Sequence, residues 1–235
     1  MKICVIPARG GSKRIPRKNI KDFLGKPMIA WSIEAAQKAS IFSKIIVSTD
    51  DNEIASIAKK MGAEVPFIRP DSLSDDYSTT GDVMSHACKW MNDNEIKPKV
   101  VCCLYPTAPL IEASDLIEGL RIMSSGNWKY VFSVCEYSSP VFRSFEQEGN
   151  GGIKMLFPEN FSTRSQDLPS VFHDAGMFYI GTFDSWMTGL PVFGNYTFPL
   201  KIPSFRAKDI DTPEDWLVAE LLAKAISLRL SLIHI

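Results

Sequence analysis

The sequence predicts an α/β fold in which a mainly parallel sheet is covered by helices on both faces. Short apolar runs rich in β-branched residues alternate along the chain with longer segments whose apolar residues recur at helical spacing. The apolar runs are nearly continuous, which is typical of strands buried on both faces of a parallel sheet. With 235 residues, 45% of them hydrophobic, the chain has the length of one large domain, and we predict a single domain over residues 1–235.

Two strand–helix pairs open the predicted sheet. Residues 2–8 form an apolar run that ends in a glycine-rich turn, and residues 27–39 follow with a proline suited to the first helical turn. Residues 44–50 form a second β-branched run, and apolar residues then recur with helical spacing over residues 51–61. Gly62 lies where the end of that helix is expected.

The same patterns predict the next four elements. Apolar residues at helical spacing indicate helices at residues 80–92 and around residues 116–123, and apolar runs indicate strands at residues 100–105 and 130–136. Strand and helix therefore continue to alternate, as they do in a sheet that is wound on both faces.

The pattern changes in the second half of the chain. Proline, glycine, asparagine and serine are frequent over residues 138–169, where we predict an inserted arm or lobe with short strands of its own. A final helix is predicted to begin with Thr212 as its cap, Pro213 in its first turn and Asp215 as a reciprocal cap. The apolar tail, residues 228–235, suits either an extension of this helix or contact with a partner.

Composition argues against several classes of protein. The chain has 26 basic and 27 acidic residues, whereas proteins that coat nucleic acid normally carry a basic excess. No apolar run approaches the roughly 20 residues that span a bilayer, and the first residues do not have the pattern of a signal peptide. The five cysteines form no CxxC pair, and we expect them to be reduced core residues of a cytoplasmic protein.

The strongest candidate site is the loop after the first strand, residues 9–19. Two adjacent glycines let the backbone approach a ligand closely, and the loop carries five cations. These cations are Arg9, Lys13, Arg14, Arg17 and Lys18. A polyanion such as a triphosphate is their natural ligand. The alternative is a turn with a solvated basic face, but a chain of net charge −1 has no surplus of cations to scatter there.

Other polar segments follow predicted strands in the same way. Asp50 ends the second apolar run, and residues 106–110 follow the third. Ligands of mainly parallel α/β sheets bind outside the carboxyl ends of the strands, so we expect these segments to share one site. Neither the GxxxxGK[ST] nor the GxGxxG phosphate-binding pattern is present.

The segment IPARGGSKRIPRKN at residues 6–19 resembles the opening of the sugar-activating nucleotidyltransferases, and more narrowly of the cytidylyltransferases that make CMP-activated nonulosonic acids. Five further motifs follow in the family's order: STDD at 48–51, RPDSLSDD at 69–76, PTAPL at 106–110, RSQDLP at 164–169 and DIDTPED at 209–215. The resemblance covers nearly the whole chain. It implies a Rossmann-like sheet of the nucleotide-diphospho-sugar transferase type with a small inserted dimerisation arm.

The resemblance also implies roles for individual residues. Six of them match nucleotide-binding positions: Arg9, Gly11, Ser12, Lys13, Asn19 and Arg69. Arg9, Ser12 and Lys13 match the triphosphate contacts, and Arg9 and Lys13 are the matched catalytic residues. Asn19 matches a residue beside the ribose and phosphates, and Arg69 matches an arginine at the cytosine and ribose end.

Asp209 and Asp211 match a pair of carboxylates that holds Mg²⁺. Residues i and i+2 of an extended segment share a face, so both carboxylates can reach one cation. Mg²⁺ is typically held by one or two carboxylates together with substrate phosphates. The alternative role for Asp211 is a helix-capping acid, but Thr212 already fits that role, which favours the metal.

Departures from the common sialic acid pattern point to another sugar. Enzymes for the common sialic acid usually have Gln where this chain has Tyr105, and Asn-Gly where it has the end of Asp-Ala-Gly at residues 174–176. Both departures resemble members that act on pseudaminic acid. The predicted sugar-binding residues are Tyr105, Arg164, His173 and Asp174, with Arg164 as the cation nearest the sugar carboxylate. A structural histidine is the alternative for His173.

The resemblance implies an enzyme that transfers CMP from CTP to the anomeric hydroxyl of a nonulosonic acid, releasing pyrophosphate. Pseudaminic acid is the favoured acceptor, and N-acetylneuraminate, legionaminic acid or a 3-deoxy-octulosonate are alternatives. A non-catalytic nucleotide-binding module is a further alternative, which the presence of Lys13, Asp209 and Asp211 disfavours. We expect a homodimer through the arm at residues 138–169, Mg²⁺ as cofactor, and no nucleic-acid or membrane partner.

Overall fold

The computed structural model describes the backbone of residues 1–233 and the side chains of residues 1–228. The last part of the apolar tail, including His234, lies outside the described residues.

Strands and helices alternate along the first half of the described chain, and strands dominate the second half. The strands are β1 (Lys2–Pro7), β2 (Asp22–Phe23), β3 (Lys26–Pro27), β4 (Lys44–Ser48), β5 (Val100–Leu104), β6 (Tyr130–Glu136), β7 (Phe145–Gln147), β8 (Ile153–Met155), β9 (Phe172–Thr182) and β10 (Thr197–Lys201). The α-helices are α1 (Met28–Ala39), α2 (Asn52–Lys60), α3 (Thr80–Asp93), α4 (Ala113–Ser125), α5 (Phe183–Thr188) and α6 (Pro213–Ile233).

Six strands form the central sheet in the order β10-β6-β9-β5-β1-β4. The pairs β1–β4, β1–β5 and β6–β10 are parallel, whereas β9 runs antiparallel to both β5 and β6. The predicted mainly parallel sheet is therefore confirmed, with one reversed strand in its middle. The reversal follows from connectivity, because β9 returns directly alongside β6 after the chain has made an excursion through the arm.

Alternation along the strands builds a core on each face of the sheet. In β1, Cys4 and Ile6 belong to one buried cluster, while Ile3 and Val5 belong to the other. Residues of α1, α2 and α4 complete the first cluster, and residues of α3 and α5 complete the second. The prediction of helices on both faces is thus confirmed. All five cysteines are free and buried.

Helix ends show why the local sequence folds as it does. Asp51 caps α2 by accepting hydrogen bonds from the amides of Glu53 and Ile54, each at 2.9 Å. Gly62 follows that helix with a φ of 86°, a conformation that side chains with a Cβ rarely adopt. At the start of α6, Thr212 and Asp215 form the expected reciprocal cap, with the Asp215 amide donating to the Thr212 hydroxyl at 3.2 Å.

Residues 138–169 leave the sheet between β6 and β9. Within them β7 and β8 form a small antiparallel hairpin that is separate from the central sheet. Its outward face is apolar, since the side chains of Phe145 and Ile153 are 60% and 64% exposed. No helix in the described part of the chain has the length and apolar character needed to cross a bilayer.

Candidate functional site

The loop after β1 borders a cavity of about 270 Å³ at the carboxyl ends of the strands, which we call the cationic cavity. Residues predicted from the sequence contribute much of its lining: Arg9, Ser12, Lys13, Asn19, Arg69, Tyr105 and Asp211. They come from segments that follow β1, β4 and β5 and from the segment before α6. The residues predicted from the sequence therefore line one cavity at the strand ends, because parallel strands bring the segments that follow them to one edge of the sheet.

Partly buried hydrogen bonds fix the backbone of this loop. The Asn19 side chain is buried and donates from Nδ2 to the Arg9 carbonyl at 2.9 Å. The Gly10 amide donates to Asp50 Oδ1 at 3.0 Å. A Cβ at Gly10 would come within 2.8 Å of the Asp51 carboxylate, whereas Gly11 has open space around it. Gly10 is thus required by close packing, and Gly11 leaves an accessible stretch of backbone.

Arg9 and Lys13 both contact one carboxylate, that of Asp76. Arg9 Nη1 lies 2.8 Å from Asp76 Oδ1 and donates to the Asp75 carbonyl at 2.6 Å. Lys13 Nζ donates to Asp76 Oδ2. These two cations lower the pKa of Asp76, with the Lys13 hydrogen bond as the larger cause.

Arg14 and Lys18 contact the carboxylate of Asp211. The Arg14 guanidinium lies 2.9 Å from Asp211 Oδ2, and Lys18 Nζ lies 3.3 Å from Oδ1. Lys18 also donates to the carbonyl of Ile210 at 2.6 Å. These contacts tie the loop to the segment that precedes α6.

Arg17, the fifth cation, serves a different purpose. It donates to both carboxylate oxygens of Asp51, which caps α2, and it also pairs with Glu53. The hydrogen bond from Arg17 lowers the pKa of Asp51. Arg17 does not line the cationic cavity. One cation of the predicted phosphate loop is therefore used to hold the loop against α2.

Arg69 is a buried cation without its full set of partners. It is 4% exposed, and its Nε and Nη2 atoms make no hydrogen bond with the described residues. The nearest carboxylate oxygen is Asp50 Oδ1, 3.6 Å from Nη2. Burial lowers the pKa of Arg69. Because buried polar groups nearly always have partners, this side chain in the cavity wall is a donor suited to a bound ligand.

The residue types at positions 209 and 211 suit Mg²⁺. Partial loss of solvation raises the pKa of Asp209, and the negative charge of Asp211 raises it further. Asp209 nevertheless keeps an exposed surface. Two neighbouring carboxylates repel each other because both are negative, and a shared cation relieves that repulsion. Their hard oxygen atoms suit Mg²⁺. Asp211 lines the cationic cavity, whereas Asp209 is not among its lining residues. Among the side chains that the structure describes, no larger cluster of metal-ligating residues forms.

A second cavity of about 430 Å³, which we call the aromatic cavity, adjoins the first. The two share Thr80 and Tyr105, whose hydroxyl groups lie 2.7 Å apart. The lining of the aromatic cavity is polar around the pair in which the Tyr179 hydroxyl donates to Asp174 Oδ2, and also at Thr79, Asp82 and Ser85. The rest of its wall is mainly apolar: Trp186, Leu190, Pro191, Val192 and Phe193. Burial raises the pKa of Tyr105 to about 12, so its hydroxyl keeps its proton.

The four predicted sugar-binding residues are not brought together. Tyr105 and Asp174 line the aromatic cavity, but His173 and Arg164 line neither cavity. His173 packs edge-on against Tyr137, with ring centroids 4.8 Å apart. Arg164 lies on the arm, where its Nε donates to Asp167 at 2.8 Å. Arg164 therefore lies apart from the two predicted sugar-binding residues that line the aromatic cavity.

Several residues in or beside the cavities are not predicted from the sequence. Thr80, Tyr179 and Phe193 line the aromatic cavity, and Asp76 pairs with two loop cations. Thr80 lies in the first turn of a predicted helix, and Tyr179 lies within an apolar strand, where packing is the ordinary role of such residues. For Phe193 a weak sequence signal exists, because a large aromatic residue stands between Pro191 and Gly194 in a segment with turn-forming residues. In the structure Phe193 is 66% exposed.

The sequence and the fold both match known proteins. A family model described as cytidylyltransferase matches residues 3–137, more than half of the chain. A pseudaminic acid cytidylyltransferase of Campylobacter jejuni is 41% identical over 222 residues, which cover 94% of this chain and 96% of that protein. A CMP-N,N'-diacetyllegionaminic acid synthase of Legionella pneumophila is 33% identical, covering 94% of this chain and 95% of that protein.

A solved structure shares the fold at low sequence identity. A CMP:2-keto-3-deoxy-manno-octonic acid synthetase complexed with CTP superposes with a TM-score of 0.69 at 18% identity, covering 95% of this chain and 98% of that one. The mainly parallel sheet with helices on both faces is therefore an architecture that also occurs far outside the range of close sequence similarity.

Proposed function

Because the chain belongs to the cytidylyltransferase family, we propose that it transfers CMP from CTP to the anomeric hydroxyl of a nonulosonic acid and releases pyrophosphate. The single observation that carries this proposal is the pair of adjoining cavities that share Thr80 and Tyr105. The first is rich in cations, and the second combines an aromatic and apolar wall with polar side chains. A nucleoside triphosphate in the first would meet an acceptor sugar in the second at their common boundary.

The nucleotide belongs in the cationic cavity. Arg9, Ser12 and Lys13 lie where they can receive the triphosphate, and cations with several donors suit phosphate oxygens. Arg69 presents two unused donors at the wall, which suits the carbonyl and ribose oxygen atoms of a pyrimidine nucleoside. Asn19 would act by holding the backbone of Arg9, since that is where its amide donates.

Asp209 and Asp211 are the residues that we propose hold Mg²⁺. When bound, the ion would neutralise charge on the triphosphate during transfer. In the structure Arg14 and Lys18 pair with the Asp211 carboxylate. When that carboxylate binds Mg²⁺ instead, both cations would be available to phosphate oxygens beside the other residues of the loop.

Positioning and electrostatic stabilisation are the contributions that the protein makes to the reaction. The anomeric oxygen attacks the α-phosphorus, a new P–O bond forms, and the bond to pyrophosphate breaks. Lys13 and Arg9 would stabilise the charge that builds up on the leaving pyrophosphate. No side chain in the described cavities is assigned as the base that removes the anomeric proton.

Pseudaminic acid is the acceptor that we favour. Of the Campylobacter jejuni and Legionella pneumophila relatives, the one with the higher identity is named for that sugar. The aromatic cavity combines the polar Asp174–Tyr179 pair with a long apolar wall, as a deoxy sugar with acylated amines would require. Legionaminic acid and N-acetylneuraminate are the alternatives, the first because of the relative named for its diacetyl form.

We further propose that the protein works as a cytoplasmic homodimer. Support for the dimer comes from the exposed apolar face of the β7–β8 hairpin and from Arg164, which lies on the arm and away from both cavities. Support for a reducing compartment comes from five free, buried cysteines.

The experiment that tests this function is pyrophosphate release from CTP, UTP, ATP and GTP in the presence of Mg²⁺, with and without a nonulosonic acid. We expect release that requires both CTP and the acceptor sugar, and a CMP-sugar as the second product. Tight binding of CTP without turnover on any nonulosonic acid would instead favour a non-catalytic nucleotide-binding module.

A further inference from the structure

The cations predicted to bind the triphosphate are already occupied by a carboxylate of the chain itself. Asp76 lies between Arg9 and Lys13, one oxygen atom to each. If these cations bind phosphate oxygens, a bound triphosphate and the Asp76 carboxylate compete for the same donors. The competition rests on the proposed function, because it takes the cationic cavity as the triphosphate site.

Among the described residues, the side-chain hydrogen bonds of Asp76 go to these two cations, whereas the neighbouring Asp75 holds the shape of its loop. Asp75 Oδ1 accepts hydrogen bonds from the amides of Tyr77 at 3.0 Å and Ser78 at 2.8 Å, and from the Ser78 hydroxyl at 2.7 Å. The loop thus has its own internal hydrogen bonds. The Asp76 carboxylate can therefore leave the cations without unfolding the segment that carries it.

We propose that Asp76 is an internal counter-ion that occupies Arg9 and Lys13 between turnovers, is displaced by the triphosphate of CTP, and returns as pyrophosphate leaves. A triphosphate carries several negative charges on many oxygen atoms and so displaces a single carboxylate. The returning carboxylate offers the cations a new partner, which lowers the cost of releasing a tightly held product. Asp76 thereby influences the affinity for the nucleotide and the release of pyrophosphate without contacting either molecule.

Displacement also has a structural consequence. The Asp76 pairs join the loop at residues 74–78 to the phosphate loop, and Tyr77 next to them is 90% exposed. Loss of both pairs leaves the hydrogen bond from Arg9 to the Asp75 carbonyl as a remaining tie between the two loops. Binding of the nucleotide should therefore loosen this loop while it orders the phosphate loop.

Calorimetric binding of CTP and of inorganic pyrophosphate, each with Mg²⁺, tests the proposal on the wild type, Asp76→Asn and Asp75→Asn. The two variants remove the same charge one residue apart, and Asn at position 75 can still accept the hydrogen bonds that shape the loop. We expect Asp76→Asn to bind both ligands at least about threefold more tightly than Asp75→Asn, since two partly exposed ion pairs no longer compete. The inhibition constant of pyrophosphate in turnover should fall in parallel.

Hydrogen exchange supplies a second readout that a merely structural role would not move. In the wild type, pyrophosphate with Mg²⁺ should speed exchange over residues 74–78, and Asp76→Asn should show fast exchange there without ligand. Equal or weaker binding by Asp76→Asn than by Asp75→Asn would overturn the counter-ion proposal while leaving the proposed function intact. A wild type that binds neither CTP nor pyrophosphate would overturn both.

Discussion

Lys13 offers the most direct test of the phosphate loop at the level of one residue. Its side chain is 79% exposed and pairs with Asp76, so its loss should cost little stability. Lys13→Ala removes the positive charge that would stabilise the leaving pyrophosphate. We therefore expect kcat to fall by about 10²–10³, by analogy with the deletion of a single oxyanion donor. Pyrophosphate release and thermal melting measure the two effects.

The control for this variant is Lys60→Ala, which removes an exposed lysine that ends α2 and lines neither cavity. It should retain the kcat of the wild type. A Lys13→Ala enzyme with unchanged kcat would mean that the loop does not carry the reacting phosphates.

A variant at Asp174 should distinguish binding of the sugar from binding of the nucleotide. It lines the aromatic cavity but not the cationic one, and its Oδ1 accepts from the Gly176 amide at 2.8 Å. Asp174→Asn preserves that hydrogen bond but changes the partner of the Tyr179 hydroxyl. We expect the KM of the acceptor sugar to rise about tenfold, as the loss of a hydrogen bond to a charged group implies, while the KM of CTP stays constant. A parallel rise in both constants would place Asp174 outside the sugar site.

The sequence predicts which residues line the cavity better than it predicts which residues those side chains contact. Arg9, Lys13 and Asp211 are found in the cavity because motif residues follow strands, and strand ends meet at one edge. The pairing of Asp76 with Arg9 spans 67 residues and depends on how the loop after β4 folds over the sheet. No local pattern encodes such a contact, and the same holds for the burial of Arg69.

In the segment before α6, neighbouring residues have different roles, namely the proposed binding of Mg²⁺ and the capping of the helix. Asp211 faces Arg14 and Lys18, whereas Thr212 and Asp215 cap the helix. Asp211→Asn should lower kcat and raise the Mg²⁺ concentration needed for half-maximal rate, with a small change in melting temperature. Asp209→Asn should act in the same direction.

Thr212→Ala is the matched variant for that pair. It should lower the free energy of unfolding by about 1 kcal/mol through loss of the cap and leave the Mg²⁺ titration unchanged. Reversed results, with Asp211→Asn costing the stability and Thr212→Ala changing the metal dependence, would mean that Asp211 is the capping acid.

Element boundaries show where sequence patterns suffice and where tertiary structure decides. The apolar run of residues 130–136 coincides with β6, because a strand buried on both faces needs continuous apolar residues. β10 was not predicted, since Pro199 lies within it and proline argues against a strand. β10 is an edge strand, where a missing backbone donor is tolerated. The short α5 was also missed, because six residues are too few to show a helical period.

At the scale of the whole molecule, the arm should make the protein a dimer. Phe145 and Ile153 expose large apolar surfaces on a hairpin that has little sheet of its own to cover them. We expect a dimer at micromolar concentration in analytical ultracentrifugation, and a shift to monomer in a Phe145→Glu/Ile153→Glu variant. Ile117→Glu, which charges an exposed apolar residue on α4, should remain dimeric. A monodisperse wild-type monomer would contradict the prediction.

The central claim is that two adjoining cavities join CMP to a nonulosonic acid, with pseudaminic acid preferred. The measurement that tests it most directly is kcat/KM for pyrophosphate release by the wild-type protein with CTP and Mg²⁺, determined for pseudaminic acid and for N-acetylneuraminate. A cavity with fixed polar partners discriminates strongly against a sugar that leaves them unpaired, so we expect pseudaminic acid to be preferred by at least about tenfold. A higher kcat/KM for N-acetylneuraminate, or no release with either sugar, would contradict the account.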